Sequence, residues 1–400
     1  QVQFVLSLFI SGIAAGAGIM AAQYWGKQDA ASIEKVIPIA LRTNLLFSGL
    51  FTILAGFCPE ILMRIFTNDA ALVASGSQYL RAVALSYVLC GISQVYLILL
   101  KNTGHAAVSS RISSTAVVLN IILNAILIYG LCGAPALGIR GAAYATVAAR
   151  VVELIWAYLE TKKPERVRIL WNRLFSSAGK ILSEDFWRYT LPVLAASLVW
   201  GIAYVLYSVI MGHMGSDAVA ANSITSIAKS LLSCLIRGVS GGAGVLIGNL
   251  LGADELEKAR EYGGRLTHLA IAIGVVTGGL LMLISPAIVH FAPLTDTAAE
   301  YLQYMLLFCG LNLMAQSVNT TVLDGIFCAG GDAKFDMQGN IGAMWCFSVP
   351  LGFLAAFWLK LPVMVVYCIV NLDEIVKLPA VYLHYKKYVW VRNITRDIEE

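Results

Sequence analysis

The sequence has few charged residues. Asp, Glu, Lys and Arg make up 13% of its 400 residues, and apolar side chains make up 58%. Soluble domains average about 25% charged and roughly 45–50% apolar residues. The longest polar stretch covers only residues 160–188, which is shorter than a chain normally needs to fold alone. This composition excludes a water-soluble domain and is typical of a protein embedded in lipid.

Motifs for catalysis, metal binding and nucleic-acid binding are also scarce. The cysteines and histidines form no CxxC pair, no HExxH and no mixed cluster at metal-ligand spacing. Ser240 fits a GxSxG pattern, but that pattern belongs to a strand-to-helix turn, whereas Ser240 lies in an apolar segment whose small residues favour close helix contact. No basic face carries interleaved aromatic residues. We therefore expect no enzyme, no organic cofactor and no nucleic-acid partner.

Long apolar segments are what the chain has instead. Eleven of them can be distinguished, each of about 19–26 residues, and an α-helix needs about 20 residues to cross the hydrocarbon core. A membrane β-barrel would show alternating strands of about ten residues, so we expect an all-α polytopic membrane protein. The segments are residues 2–24, 36–58, 78–100, 113–133, 138–159, 190–212, 230–251, 266–291, 304–328, 338–359 and 361–383.

Lys and Arg are distributed unevenly among the loops that join these segments. One set of alternate loops holds most of them, and the opposite loops hold little more than Arg64, Arg140 and Lys360. Because cytoplasmic loops are enriched in basic residues, we assign the basic set to the cytoplasm and expect a multi-pass protein of the cytoplasmic membrane. That set consists of residues 25–36, 101–112, 160–188, 252–265, 332–337 and the tail from 384.

Sequence landmarks recur at an offset of 226 or 227 residues. GAGIMAAQYWGKQD at 16–29 returns as GAGVLIGNLLGADE at 242–255. A shared spacing at several landmarks indicates an internal duplication. We therefore expect an N-terminal lobe at 1–160, a basic linker at 161–188 and a C-terminal lobe at 189–400. The other landmark pairs are Pro59 with Pro286, Asp69 with Asp296, and Gly104 with Gly331.

The two halves differ in how they start. The second half has a segment at 190–212 before its GAG segment, whereas the first half opens directly with the GAG segment. We therefore expect a natural chain of twelve helices, with six in each homologous half, of which eleven are in this sequence. An even number of crossings per half predicts a parallel repeat about an axis along the membrane normal, as in transporters with two lobes.

These motifs, in this order, resemble the bacterial MATE (multidrug and toxic compound extrusion) transporters. The resemblance implies secondary active export, by alternating access, of organic and often cationic compounds in exchange for Na⁺ or H⁺. A helical bundle of this size can work alone, so we expect a monomer. A flippase for lipids or lipid-linked oligosaccharides is the alternative. Besides the duplicated GAG motif, the resemblance rests on LKNTGH (100–105), FCAGGD (327–332), NIILNAILIYG (120–130), GIRGAAYATV (138–147), NLDEIVK (371–377) and KKYVWVRNIT (386–395).

Asn120 and Asn124 are the candidate cation-binding residues of the first half. They are four residues apart and therefore share one helix face. Their amide oxygens can coordinate a hard cation, and packing between helices is the alternative role. In the family this face often contributes to the cation site, and an Asp often occupies the position of Asn124. Thr146, in the next helix, is a further member of the set, with a hydrogen bond to its own helix as the alternative.

In the second half the candidates lie in the polar run QSVNTTVLDG at 316–325. Gln316 and Asn319 are candidate cavity residues, and Asp324 is either a protonatable gate or a side chain that extends to the interface. Tyr204 is a candidate for the wall of a substrate cavity because π faces attract cations, and core or lipid packing is its alternative. Of the intramembrane charges, Arg150 and Glu153 are expected to form an ion pair three residues apart. Arg237 is expected either to pair with an acid of another helix or to line the cavity.

Overall fold

The computed structural model describes residues 1–65, 69–164, 166–169, 174 and 179–396, and these residues form helices and turns with no strand. The all-α fold class is therefore confirmed. The helices are α1 Val2–Gly26, α2 Ala30–Phe57, α3 Pro59–Arg64, α4 Ala70–Val83, α5 Leu85–Leu100, α6 Ala106–Tyr129, α7 Ile139–Thr161, α8 Lys180–Gly212, α9 Ser216–Gly252, α10 Leu256–Phe291, α11 Asp296–Thr320, α12 Ala333–Asn340, α13 Val349–Phe353, α14 Val363–Val370 and α15 Asp373–Tyr385.

Several of these helices join into longer crossings through π-helical turns. Helix α11 continues to Phe327 in this way, and π-helical turns connect α12 to α13 and extend α13 to Trp358. Within the described residues, nine stretches are long and apolar enough to cross a membrane. One of them, Leu85–Tyr129, contains two crossings because its backbone breaks at Thr103 and Gly104.

All eleven apolar segments expected from the sequence correspond to helices in the described part of the chain, the last as the broken pair α14 and α15. The starts differ by about eight residues or more for four of them, of which α8 begins at Lys180 rather than at 190. Helices α9, α10 and α11 begin at Ser216, Leu256 and Asp296, well before the predicted starts at 230, 266 and 304. Their first turns are rich in polar residues, which lower the local hydropathy without interrupting the helix.

Side-chain caps start several helices. The Asp29 carboxylate accepts a hydrogen bond from the Ser32 backbone N–H at 2.9 Å, at the start of α2. Asp69 accepts one from the Ala71 N–H at 2.8 Å, and the Thr295 hydroxyl accepts one from the Ala298 N–H at 3.2 Å. These caps satisfy N–H groups that lack partners in the first helical turn.

The internal repeat is visible in the backbone. The chain turns through the left-handed region at equivalent positions of the two halves, including positions that are not glycine, where L-residues are uncommon. The hydrogen bonds agree, since the Asp29 N–H donates to Tyr24 O at 2.9 Å and the Glu255 N–H donates to Leu250 O at 2.9 Å. The duplication is therefore confirmed at the level of turn geometry. The paired residues and their φ angles are Gln28 (66°) with Asp254 (60°), Gly104 (80°) with Gly331 (72°), and Cys132 (57°) with Lys360 (48°).

The described residues form two compact units, Gln1–Leu194 and Ala195–Arg396. In the first unit, Gly16 of α1 packs so closely on Thr190 that an added Cβ would overlap the threonine. In the second unit, α10 and α11 meet at Gly278 and Gly310, and a Cβ on Gly310 would lie 2.9 Å from the carbonyl oxygen of Gly278. Small residues that let helix backbones touch are the usual means of association in lipid. The lobe boundaries at 160 and 189 stay a prediction.

The C-terminal segment is fastened to the second unit. Trp390 is fully buried. The Arg392 guanidinium donates hydrogen bonds to the carbonyl oxygens of Gly330 and Gly331, at 2.8 and 2.7 Å. Both carbonyls lie in the turn that follows the α11 crossing, so the tail holds that turn in place.

Candidate functional site

The predicted residues of the first unit lie together where α6 meets α7. The Asn124 amide donates a hydrogen bond to Asn120 Oδ1 at 3.1 Å, and the Asn120 amide reaches Thr146 Oγ1 at 3.4 Å. Thr146 in turn donates to the carbonyl oxygen of Ala142, at 2.9 Å, in its own helix. The spacing on α6 and the position of Thr146 on the facing helix therefore produce one continuous chain of polar groups.

We call Asn120, Asn124 and Thr146 the amide set, and it contains one hydrogen-bond acceptor that receives no hydrogen bond from any described residue. Asn124 Oδ1 is buried and has no hydrogen-bond partner among the described residues. Amide and hydroxyl oxygens are ligands for hard cations, and a cation here would meet neutral oxygens. The described part of the chain holds no group of three or more His, Cys, Asp or Glu side chains suited to a metal ion. The geometry suits both helix packing and a weak alkali-cation site.

The second unit holds a denser set of ionisable groups. Lys377 of α15, with 6% of its surface exposed, lies at its centre. Its ammonium donates to Asn340 Oδ1 at 3.1 Å and to Glu374 Oε1 at 3.3 Å, and it lies 3.6 Å from Asp373 Oδ2. We call this set the charged cluster; its members are Asn319, Asp336, Asn340, Asp373, Glu374 and Lys377.

The two asparagines connect the charged cluster to neighbouring helices. Asn340 donates to Asp336 Oδ1 at 3.1 Å. Asn319 of α11 donates to the backbone oxygen of Glu374 at 2.6 Å and to its Oε2 at 2.8 Å. The cluster thus contains three carboxyl groups and one ammonium. Asp336 lies near the start of the span Ala333–Trp358, and the other three charges lie on α15, in the predicted apolar segment 361–383. Ionisable groups inside a membrane are costly and usually functional.

Of the predicted residues in the second unit, Asn319 alone belongs to the charged cluster. Gln316 has a buried Oε1 without a hydrogen-bond partner in the part of the chain that is described. Asp324 lies in the π-helical turn that ends α11, and its side chain is exposed. Arg237 is close enough to act electrostatically on Asp324, and its guanidinium lies 5.7 Å from the ring centroid of Trp200. Both roles expected for Arg237 stay predictions.

The expected ion pair of α7 is present. Arg150 Nη1 lies 2.7 Å from Glu153 Oε2, and Ser93 of α5 donates to Glu153 Oε1 at 2.6 Å. Glu153 is buried, so both of its oxygens have partners. This arrangement satisfies the carboxylate within the first unit and fixes α5 against α7.

Tyr204 lines a cavity of about 420 Å³, a volume that includes its open mouth. The ring of Tyr204 stacks on Trp200 with the centroids 5.5 Å apart. The wall combines tyrosine rings with short polar side chains and one charged residue, Lys229. The lining residues are Tyr204, Tyr207, Ser208, Met211, Asn222, Thr225, Ser226, Lys229, Tyr367, Val370 and Asn371.

The sequence analysis missed five ionisable residues of these sites. A signal for three of them was available, since NLDEIVK places Asp373 and Glu374 four and three residues before Lys377 inside an apolar segment. Lys229 precedes the predicted segment 230–251, so the hydropathy pattern does not indicate that it is an intramembrane charge. The five residues are Lys229, Asp336, Asp373, Glu374 and Lys377.

Comparison with known proteins gives consistent matches along the chain. The family model MatE matches residues 1–126 and 192–354. The probable multidrug resistance protein YoeA of Bacillus subtilis (strain 168) is 22% identical over 402 residues, covering 99% of this chain and 86% of YoeA. The uncharacterized transporter YisQ of the same organism is 20% identical over 392 residues, covering 98% of this chain and 86% of YisQ.

A solved structure shares the fold. It shows the outward-facing conformation of a multidrug resistance MATE family transporter of the MOP superfamily. The two structures agree with a TM-score of 0.86 at 19% sequence identity, and the match covers 97% of this chain and 86% of the other. At this identity the match shows that the fold is the same.

Proposed function

This chain belongs to the MatE family of membrane transporters, and from that premise we propose that it exports organic compounds in exchange for Na⁺ or H⁺. The family consists of transporters and not enzymes, and its bacterial members are multi-pass proteins of the inner membrane. The exchange would proceed by alternating access, with the chain acting as a monomer.

The observation that carries the proposal is the charged cluster. Asp373 and Glu374 pair with the single ammonium of Lys377, and Asp336 is linked to that ammonium through Asn340. An excess of acids over bases in a site of low dielectric favours the uptake of a cation or a proton, because burying unpaired negative charge is costly. Such a site can lose or gain its positive charge as the protein changes conformation, which is what ion coupling requires.

The amide set of the first unit is proposed as a second cation site. The unpartnered Oδ1 of Asn124 supports this role, since a buried acceptor without a donor is costly unless a ligand satisfies it. A monovalent cation that moves inward gains about 2.3 kcal/mol per 100 mV of membrane potential. Cation and substrate drive exchange when they bind the two conformations unequally.

The flippase alternative is not favoured. YoeA and the matched structure are both described as multidrug resistance proteins. The described intramembrane charges of this chain are also largely paired with each other, as in Arg150 with Glu153.

Transport in proteoliposomes tests the proposal. A fluorescent cationic dye is loaded into vesicles that contain the protein, and an inward Na⁺ or H⁺ gradient is imposed separately. We expect one gradient to drive dye movement, and we expect Asn120→Ala and Asn124→Ala to weaken it. Ile121→Ala is the matched control, because its side chain lies on the exposed side of the same helix.

Two results would contradict the proposal at different levels. Unchanged transport in both asparagine variants would refute the cation site in the first unit. Absence of movement with either gradient, accompanied by scrambling of a labelled lipid, would refute the exporter itself and support a flippase.

A further inference from the structure

The cavity beside Tyr204 is built from one face of each of three helices. The space of about 420 Å³ includes open solvent at the mouth, so the walls of the cavity, and not its volume, indicate what it can bind. On α9 its polar residues Asn222, Ser226 and Lys229 are spaced by four and three residues, so they lie on one side of that helix. The third wall is α14 with the break that follows it at Asn371.

That break is typical of a transport site. Helix α14 ends at Val370 and α15 begins at Asp373, within a single predicted crossing. The Asn371 carbonyl oxygen, freed by the break, accepts a hydrogen bond from the Asn312 amide at 2.6 Å. Discontinuous helices of this kind surround substrate sites in many transporters, because non-helical backbone at membrane depth is tolerated where it lines a cavity.

Lys229 supplies the charge of the cavity. Its ammonium donates to Asn312 Oδ1 at 3.0 Å, and this is its one protein hydrogen bond among the described residues. An ammonium group carries three donors, so two N–H groups of a half-buried lysine stay available to a ligand. Asn312 is itself held by Asn371, so the position of the ammonium is fixed.

Neutral donors flank Lys229. Asn222 and Ser226 line the cavity, and neither side chain has a hydrogen-bond partner within the part of the chain that the structure describes. Both can donate hydrogen bonds to a ligand oxygen. Tyr207 and Tyr367 contribute aromatic surface to the same cavity.

No carboxylate lies in the cavity wall among the described residues. Asp373 and Glu374 do act electrostatically on Lys229, but both form ion pairs with Lys377, at 3.6 and 3.3 Å, outside the cavity wall. The groups that a ligand in the cavity contacts directly are therefore an ammonium and neutral donors.

From this geometry we propose that the cavity binds the anionic group of transported compounds, and that it recognises aromatic molecules bearing a carboxylate. The carboxylate would accept hydrogen bonds from Lys229, Asn222 and Ser226, and the aromatic part would lie against the tyrosines. The proposal rests on the proposed export function, since it names the class of compound exported.

Equilibrium binding to the purified full chain in detergent micelles tests the proposal. The probes are a fluorescent rhodamine with a free carboxylate and its ethyl ester, which differ only in that group. We expect fluorescence polarisation to show at least about tenfold tighter binding of the carboxylate, because a charge-assisted hydrogen bond is worth about one power of ten in affinity. Equal binding, or tighter binding of the ester, would overturn the proposal.

Three variants locate the effect. Lys229→Met should abolish the preference for the carboxylate, and Lys229→Arg should keep it. Lys258→Met is the control, because Lys258 lies on the surface and pairs with Glu255 at 2.8 Å; it should bind like the wild type. If Lys229→Met still binds the carboxylate more tightly than the ester, Lys229 is not the residue that recognises the carboxylate. If that variant does not fold, the comparison of the two probes on the wild-type protein tests the proposal.

The same probes separate this proposal from the proposed function. Binding is measured without any ion gradient, so a carboxylate preference with no gradient-driven transport would overturn the export function alone. Transport of the ester that equals transport of the carboxylate, together with equal binding, would overturn the substrate class alone.

Discussion

Replacing Gly278 by alanine is expected to destabilise the second unit, because α10 and α11 touch there through their backbones. A Cβ at Gly278 would overlap the carbonyl oxygen of Gly310 and would lie 3.0 Å from Met314 Cγ. The methionine can change rotamer, whereas the carbonyl cannot move without its helix. Carbon–oxygen contacts between helices are normally about 3.3–3.6 Å, so the two helices must separate. Overpacking of this kind costs about 1–3 kcal/mol.

Thermal unfolding in detergent measures this cost. Cys309, with 1% of its surface exposed, lies next to Gly310 on α11. In a protein whose other seven cysteines are replaced by serine, a thiol-reactive fluorophore therefore labels Cys309 only when the contact between α10 and α11 opens. For a unit of this size, the expected loss corresponds to a fall in the midpoint temperature of roughly 3–10 °C.

Gly279 provides the matched control at the next position of the same helix. A Cβ there would meet no atom within 4 Å, and alanine favours the helix over glycine by about 1 kcal/mol. Gly279→Ala should therefore keep or raise the midpoint temperature. Equal midpoints for Gly278→Ala and Gly279→Ala would show that this backbone contact contributes nothing to stability, which would refute the reasoning.

Two further variants test other contacts. Lys377→Met leaves buried carboxylates without their ammonium, so we expect equilibrium unfolding to show a free energy of unfolding that is lower by about 3–5 kcal/mol. Adding Glu374→Gln should restore part of that free energy, and no recovery would argue against the ion pair. Gly330→Ala would place a Cβ against the carbonyl group of Trp390 and should release the C-terminal segment to limited proteolysis. Gly339→Ala, in open space, is its control, and equal proteolysis of the two would contradict the docking.

The sequence predicts the amide set well but not the charged cluster. Asn120 and Asn124 are recognisable because both lie on one helix and a spacing of four residues is local information. The partner of Asn319 is Glu374, which is 55 residues away on another helix. The packing of α11 against α15 brings the two residues together, and the hydrophobic periodicity of either segment does not predict that contact.

The polar start of helix α9 explains why the sequence does not predict the cavity. Its first residues, from Ser216 to Lys229, are polar on one side because that side lines the cavity. Hydropathy averages all sides of a helix, so the predicted segment began at residue 230, after the residues that carry the site. The same averaging explains the late predicted starts of α10 and α11.

The duplicated left-handed turns, such as those at Gln28 and Asp254, have an evolutionary consequence. Two separate copies of an ancestral half would be identical, so every mutation would change both at once. Fusion into one gene removed that restriction. The left-handed turns lie at equivalent positions in both halves, but the interior polar residues differ. The first half has the uncharged pair Asn120 and Asn124, and the second half has acids around Lys377. Because the halves are fused in one chain, they could keep the same turns while their interior polar residues diverged.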